Sequence, residues 1–247
     1  MRYLIVILTF GVLFLFIPEL NAQKVNYYYG LKAGMVISDL SGSDGKMEID
    51  VRRNRVKDLK HAGVNAYGDY YPFIGASIGA FGGFLLSERF TADMSISYLN
   101  KGFQDIFQYS MVDTFYRSSI ILQAHYVDFG FKIRYFERGF IINTGFIIGA
   151  NIIDRVNTNI EWTVNNIDVL KQNETKYMHE HYGIYRKPFV LAYVWGLGYR
   201  KGRLTFLLNM EKTGSIFHES SIRYNFIAYS FGIEYRLNRI DKRVRRN

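Results

Sequence analysis

Phe90-Thr91-Ala92-Asp93-Met94-Ser95-Ile96-Ser97-Tyr98-Leu99-Asn100 decides the fold. In an extended chain successive side chains point to opposite faces. This stretch therefore sets Phe90, Ala92, Met94, Ile96 and Tyr98 against Thr91, Asp93, Ser95 and Ser97. One face is bulky and apolar, the other small or charged. Seven more segments repeat the pattern: Tyr28–Leu40, Tyr71–Leu86, Leu122–Phe136, Phe140–Asn151, Phe189–Arg200, Arg203–Lys212 and Arg223–Leu237. Gly82-Gly83 interrupts the second of these, where a bulge is expected.

The connections alternate in length. Ser87-Glu88-Arg89, Glu137-Arg138-Gly139 and Arg200-Lys201-Gly202 are tight, whereas 41–70, 101–121, 152–188 and 213–222 are long. Short turns opposite long loops, with an even number of strands, are the pattern of outer-membrane barrels. The fold expected is all-β: an eight-stranded antiparallel up-and-down transmembrane β-barrel. A soluble barrel would turn the bulky face inward, and rings recurring on nearly every strand would overfill it. Trp162, with Ile160 and Val164, suggests that 152–188 extends the barrel as a hairpin above the membrane.

The first residues give an address. Arg2 precedes an apolar run from Leu4 to Ile17, broken by Pro18 and followed by Asn21-Ala22-Gln23. That run is short for a membrane helix and suits a signal peptide. The expected organisation is a signal peptide over 1–22, a barrel over 23–237 and a basic periplasmic tail over 238–247. The chain has no Cys, which excludes disulfides and thiolate metal sites. Its 20 Tyr and 20 Phe suit strands and interfacial girdles. Tyr27, Tyr28, Phe90, Tyr135, Phe136, Phe140, Tyr199 and Tyr235 fall at the periplasmic strand ends. Tyr70, Tyr71, Tyr98, Phe103, Phe189 and Tyr224 fall at the outer ends.

The stretch from Pro72 through Phe90 to Tyr98-Leu99-Asn100-Lys101-Gly102 resembles the second hairpin of PorT-like outer-membrane barrels of Bacteroidota. So does Gly30-Leu31-Lys32-Ala33-Gly34. The resemblance implies an outer-membrane barrel without a defined activity, in a family with one branch in a type IX secretion apparatus. Tyr235 is followed by Leu237 to Asn247 instead of ending the chain, which departs from the usual aromatic terminus.

Lys32, Asp93, Asp128, Lys132, Arg134, Glu211, Glu234 and Arg236 fall on the inward face. Eight strands leave room for little beyond side chains, so these charges should pair and plug the lumen. A narrow solute pore is the rival. A lipid-modifying enzyme is another, with His125 and Ser118 or Ser119 as its candidate pair. His179-Glu180-His181 lacks the spacing of a metal site. No cofactor, metal or catalytic residue is expected. The net charge of +9 fits anionic lipid or lipopolysaccharide rather than nucleic acid in an exported chain. Arg52, Arg53, Arg55, Lys57 and Lys60 could meet such lipid or a protein partner.

Overall fold

The structure, a computed structural model, describes residues 27–177, 187–214, 216 and 225–238. The expected signal peptide, the tail from Arg239 to Arg246, Arg223, Tyr224 and His179-Glu180-His181 lie outside these residues.

Eight strands close a ring. They are β1 (Tyr27–Ser41), β2 (Asn65–Leu85), β3 (Phe90–Met111), β4 (Thr114–Glu137), β5 (Phe140–Val164), β7 (Phe189–Lys201), β8 (Leu204–Thr213) and β9 (Asn225–Arg236). Neighbours pair antiparallel in the order β4-β3-β2-β1-β9-β8-β7-β5, and β4–β5 pairing closes the circle. A ninth strand, β6 (Ile167–Tyr177), pairs only with the far half of β5. It is the hairpin expected in 152–188. Helix α1 (Ser43–His61) fills much of the connection from β1 to β2, which the sequence reading leaves as loop.

Turn chemistry fixes the hairpins. Glu137 pairs with Phe140 across Arg138 (φ 50°) and Gly139 (φ 94°). Val164 pairs with Ile167 across Asn165 (φ 52°) and Asn166 (φ 60°). Two successive left-handed residues match the twist of the flanking strands, and Asn and Gly tolerate that conformation best.

Four strands are far longer than a membrane requires. β2, β3, β4 and β5 have 21, 22, 24 and 25 residues, against roughly 9–11 for a tilted span. Residues 101–121 are therefore not a loop: β3 and β4 run on to a tip at Val112-Asp113. With the first residues of β2 and with β6 they raise a one-sided wall above the ring.

The bulge expected at Gly82-Gly83 is absent. Those residues pair in register with Met94 and Asp93, and the register shifts between Pro72 and Ser77 instead. Proline has no N–H for the ladder, and the Asn100 side chain accepts the Ala76 N–H there at 2.7 Å.

The outside of the ring is apolar. Leu31, Met35, Ile78, Ile142, Leu191, Leu197 and Leu208 are all more than half exposed. Two of the expected girdle residues at the short-turn end face inward: Tyr28 is 1% and Phe136 8% exposed. At the other end Phe103 is buried inside. Period-two geometry allows only alternate residues outside, so Tyr27 and Tyr28 cannot both reach lipid.

Candidate functional site: the filled lumen and its rim

The inward faces build the interior in layers. Nearest the short turns, Arg236 lies 4.1 Å over the Tyr28 ring and Arg200 4.2 Å over Phe136. The Tyr28 hydroxyl donates to Asp93. Asp93 also accepts the Thr91 hydroxyl at 3.0 Å and meets Arg134 Nε at 2.6 Å. Arg134 then reaches Glu234 with two hydrogen bonds, 2.5 and 2.8 Å. This bidentate fork is the strongest geometry a guanidinium offers a carboxylate.

Farther up, Lys101 Nζ contacts Asp128 at 3.3 Å and also bonds Glu211. Its ammonium lies 5.4 Å from the centre of the Tyr126 ring. Between these two clusters is a cavity of about 80 Å³ lined by Lys32, Lys132, Asp128, Glu211, Glu234 and Asn209, among others. Lys32 stands directly across from Glu234 in the β1–β9 register, and Lys132 across from Asp93 in β3–β4. Four cations (Lys32, Lys101, Lys132, Arg134) thus face four carboxylates (Asp93, Asp128, Glu211, Glu234) in one connected interior.

Glycine makes the room. A Cβ on Gly83 would sit 2.6 Å from an Asp93 carboxylate oxygen and 2.9 Å from the Tyr28 ring. This approach explains Gly83.

Above the charges the lumen turns apolar. Leu40, Leu99, Phe103, Leu122, Ala124, Tyr126, Val156, Val190, Ile216 and Phe226 form one buried cluster. Its members come from β1, β3, β4, β5, β7 and β9, so the layer crosses the whole section of the barrel. Above it α1 packs Val56 against Ala66 and Phe107.

The eight inward charges read from the sequence all lie on the lumen side. The sequence reading misses Lys101, 2% exposed and central to the upper cluster, because it treats 101–121 as loop. It also misses Arg200.

The basic patch has a different setting from the free loop expected for it. Arg52 is ion-paired to Asp105 on β3, and Arg53 reaches Asp69 on β2 at 3.1 Å. Arg55 lies 5.1 Å from the centre of the Phe107 ring. These three fasten α1 to the wall, and Lys57 and Lys60 are exposed.

His125 and its proposed serines are not brought together. Ser118 is buried on the inner face, while His125 belongs to the outer one. Ser119 is six positions along the same strand, roughly 20 Å at about 3.3 Å per residue. Among the described residues no group of three or more His, Asp or Glu gathers as a metal site.

No protein-family model matches the chain, and no curated protein matches it. Among solved structures with similar folds are small outer-membrane β-barrel proteins. Ail of Yersinia pestis, in complex with sucrose octasulfate, is 11% identical over 86% of this chain and 99% of its own, with a TM-score of 0.39. Neisserial surface protein A is 8% identical over 85% and 96%, with a TM-score of 0.35. OprG of Pseudomonas aeruginosa is 10% identical over 88% and 99%, with a TM-score of 0.36. A closed, even ring of antiparallel strands satisfies its own backbone and exposes a belt of large apolar side chains, conditions that only a bilayer stabilises. The protein is an outer-membrane β-barrel.

Proposed function

We propose that this barrel is a non-enzymatic anchor with a plugged lumen, whose working surface is the external wall. One observation carries the reading: an ion-paired interior is roofed by an apolar layer drawn from six of the eight ring strands. An ion crossing the barrel would have to shed its water in that layer, at a cost of several kcal/mol.

The wall suits an interaction role. β6 is the last strand of its sheet among the described residues, so its outer edge has no strand beside it. Such an edge can accept an extended segment of a partner. The resemblance to PorT-like barrels makes a secretion-apparatus component a specific form of this role, in which the partner would be another apparatus protein.

Two measurements test the reading. In planar bilayers the purified barrel should give no current steps, and Asp128→Ala or Arg134→Ala should give none either. Steady conductance would favour the narrow-pore alternative, for which the cavity between the clusters is the supporting feature. A mild-detergent pull-down of the tagged protein from outer membranes should recover a stoichiometric protein partner. Recovery of the barrel alone would remove the anchor reading.

A further inference from the structure

The outer face of β4–β5 carries an unbalanced cationic corner at the level where the apolar belt ends. Below it, Val127, Ala150 and Ile148 face outward. Above it, Gln123, Asn157 and Ser119 take the same face. At the boundary His125 stands across from Ile153, and Arg155 across from Gln123. His125 and Arg155 are diagonal neighbours on one face, with backbones roughly 7–8 Å apart.

Two features shape this corner. The first is the register shift between His125 and Tyr126, which leaves Ile152 as an extra residue in β5. Before it, Ile141, Asn143 and Ile147 point inward; after it, Val156 and Thr158 do. The shift therefore turns Arg155 outward and its neighbour Asp154 inward, where Asp154 accepts the Asn151 amide at 3.2 Å. Bulges commonly re-aim a side chain in this way. Among the described residues Arg155 has no ion pair, since the nearest acid in sequence has been turned away from it.

The second feature is the Tyr98 hydroxyl, 2.5 Å from His125 Nδ1, with the two rings stacked at 25°. When the hydroxyl donates to Nδ1, the ring proton resides on Nε2. In that tautomer Nε2 is a donor on the same outer face as the Arg155 side chain.

We propose that His125 Nε2 and the Arg155 guanidinium form a phosphate-binding pair, with Tyr98 as the positioning residue. A guanidinium fork and an imidazole N–H match the oxygens of a phosphate monoester. The corner's height points to the phosphate of a lipid headgroup in the outer leaflet. This inference rests on the barrel being embedded in an outer membrane but not on its lumen being plugged, which conductance reads separately.

The test uses the detergent-solubilised full-length protein and native mass spectrometry, with three probes: lipopolysaccharide, the same lipid after enzymatic dephosphorylation, and inorganic phosphate. The wild type should retain the phosphorylated lipid. Arg155→Ala and His125→Ala should lower retention about tenfold, the loss expected for one charge-assisted contact. Tyr98→Phe should lower it less, and Arg155→Lys should restore part. An unchanged unboiled gel shift for each variant shows that the barrel has formed. Equal retention of the dephosphorylated lipid, or full retention by Arg155→Ala, would overturn the proposal. Binding of inorganic phosphate without the lipid would keep the pair as a phosphate site and overturn its lipid source.

Discussion

Arg134 on β4 holds Glu234 on β9 through two hydrogen bonds that span the full width of the lumen. In the ring order these strands are four steps apart in either direction. Lys101 on β3 and Glu211 on β8 are opposite in the same sense and form the second brace. Each cation also contacts an acid on the adjacent strand, Asp93 for Arg134 and Asp128 for Lys101. The barrel is thus braced across its diameter at two levels, with the cavity between them.

Removing one partner of a brace should cost more than removing the whole group. Arg134→Ala leaves Asp93 and Glu234 buried without their counter-charge, a loss of about 3–5 kcal/mol. Replacing Arg134, Asp93 and Glu234 together with Met and Leu should recover most of it. Urea unfolding in detergent, followed by the heat-modifiable gel shift, measures both. A triple variant no more stable than Arg134→Ala would show that the braces act by something other than paired burial.

The same interior explains what the sequence disclosed and what it hid. In Phe90 to Tyr98 the apolar residues occupy even positions and face lipid, so the inward charge of Asp93 is readable. From Leu99 to Phe107 the alternation continues with its phase reversed: Leu99, Phe103 and Phe107 are apolar and inside, whereas Gln104 and Gln108 face out. The strand does not end there. Its outer face passes from lipid to water, and its inner face from charges to the apolar layer. β4 reverses in the same way between Tyr126 and Val127. Reading a phase reversal as a strand end hid Lys101, Asp105 and the wall. Unbroken period two across both halves was the available signal. The bracing across the ring had none, because residues 100 or more positions apart meet only through closure.

Gly83 should not accept a side chain. A Cβ there reaches both the Asp93 carboxylate and Tyr28, so Gly83→Ala should displace the lower cluster and cost about 1–3 kcal/mol. Gly63, with open space around its Cβ position, is the control for added bulk, although its φ of 77° carries its own strain. The fraction of refolded barrel in vesicles, read from the unboiled gel shift, separates the two. An unimpaired Gly83→Ala would mean that the pocket around Asp93 is looser than its distances indicate.

Helix α1 should depend on Arg52 more than on Asp105. Asp105 lies in the wall above the apolar belt, and burial raises its pKa, with the Arg52 charge opposing that rise. A folded-state value above the unfolded one means that protonation favours the docked helix: stability from this group grows as pH falls through the window above the ordinary carboxylate range and is lost as pH rises. Asp105→Asn should therefore keep α1 docked at neutral pH. Arg52→Ala should loosen it by roughly 2 kcal/mol, because a buried carboxylate is left without its partner, and acidification should restore part of the loss. Hydrogen exchange of the amides in 46–61 reads both. Faster exchange in Asp105→Asn than in Arg52→Ala would reverse the assignment.

Where the membrane stops can be tested with two charge insertions on apolar residues that are both more than half exposed. Leu208, 59% exposed, is near the middle of β8 within the belt; Ile167, 69% exposed, is at the start of β6 in the wall. A cation at the bilayer midplane of a barrel costs about 2–4 kcal/mol, falling toward zero near the interface. Leu208→Arg should lower the stability of the barrel in vesicles by that amount. Ile167→Arg should change it by less than about 0.5 kcal/mol, as expected for a surface position in water. Accessibility alone cannot distinguish these sites; the surrounding medium does. A large penalty at Ile167 would place β6 against lipid or beneath another part of the chain, and its edge would then not be open to a partner.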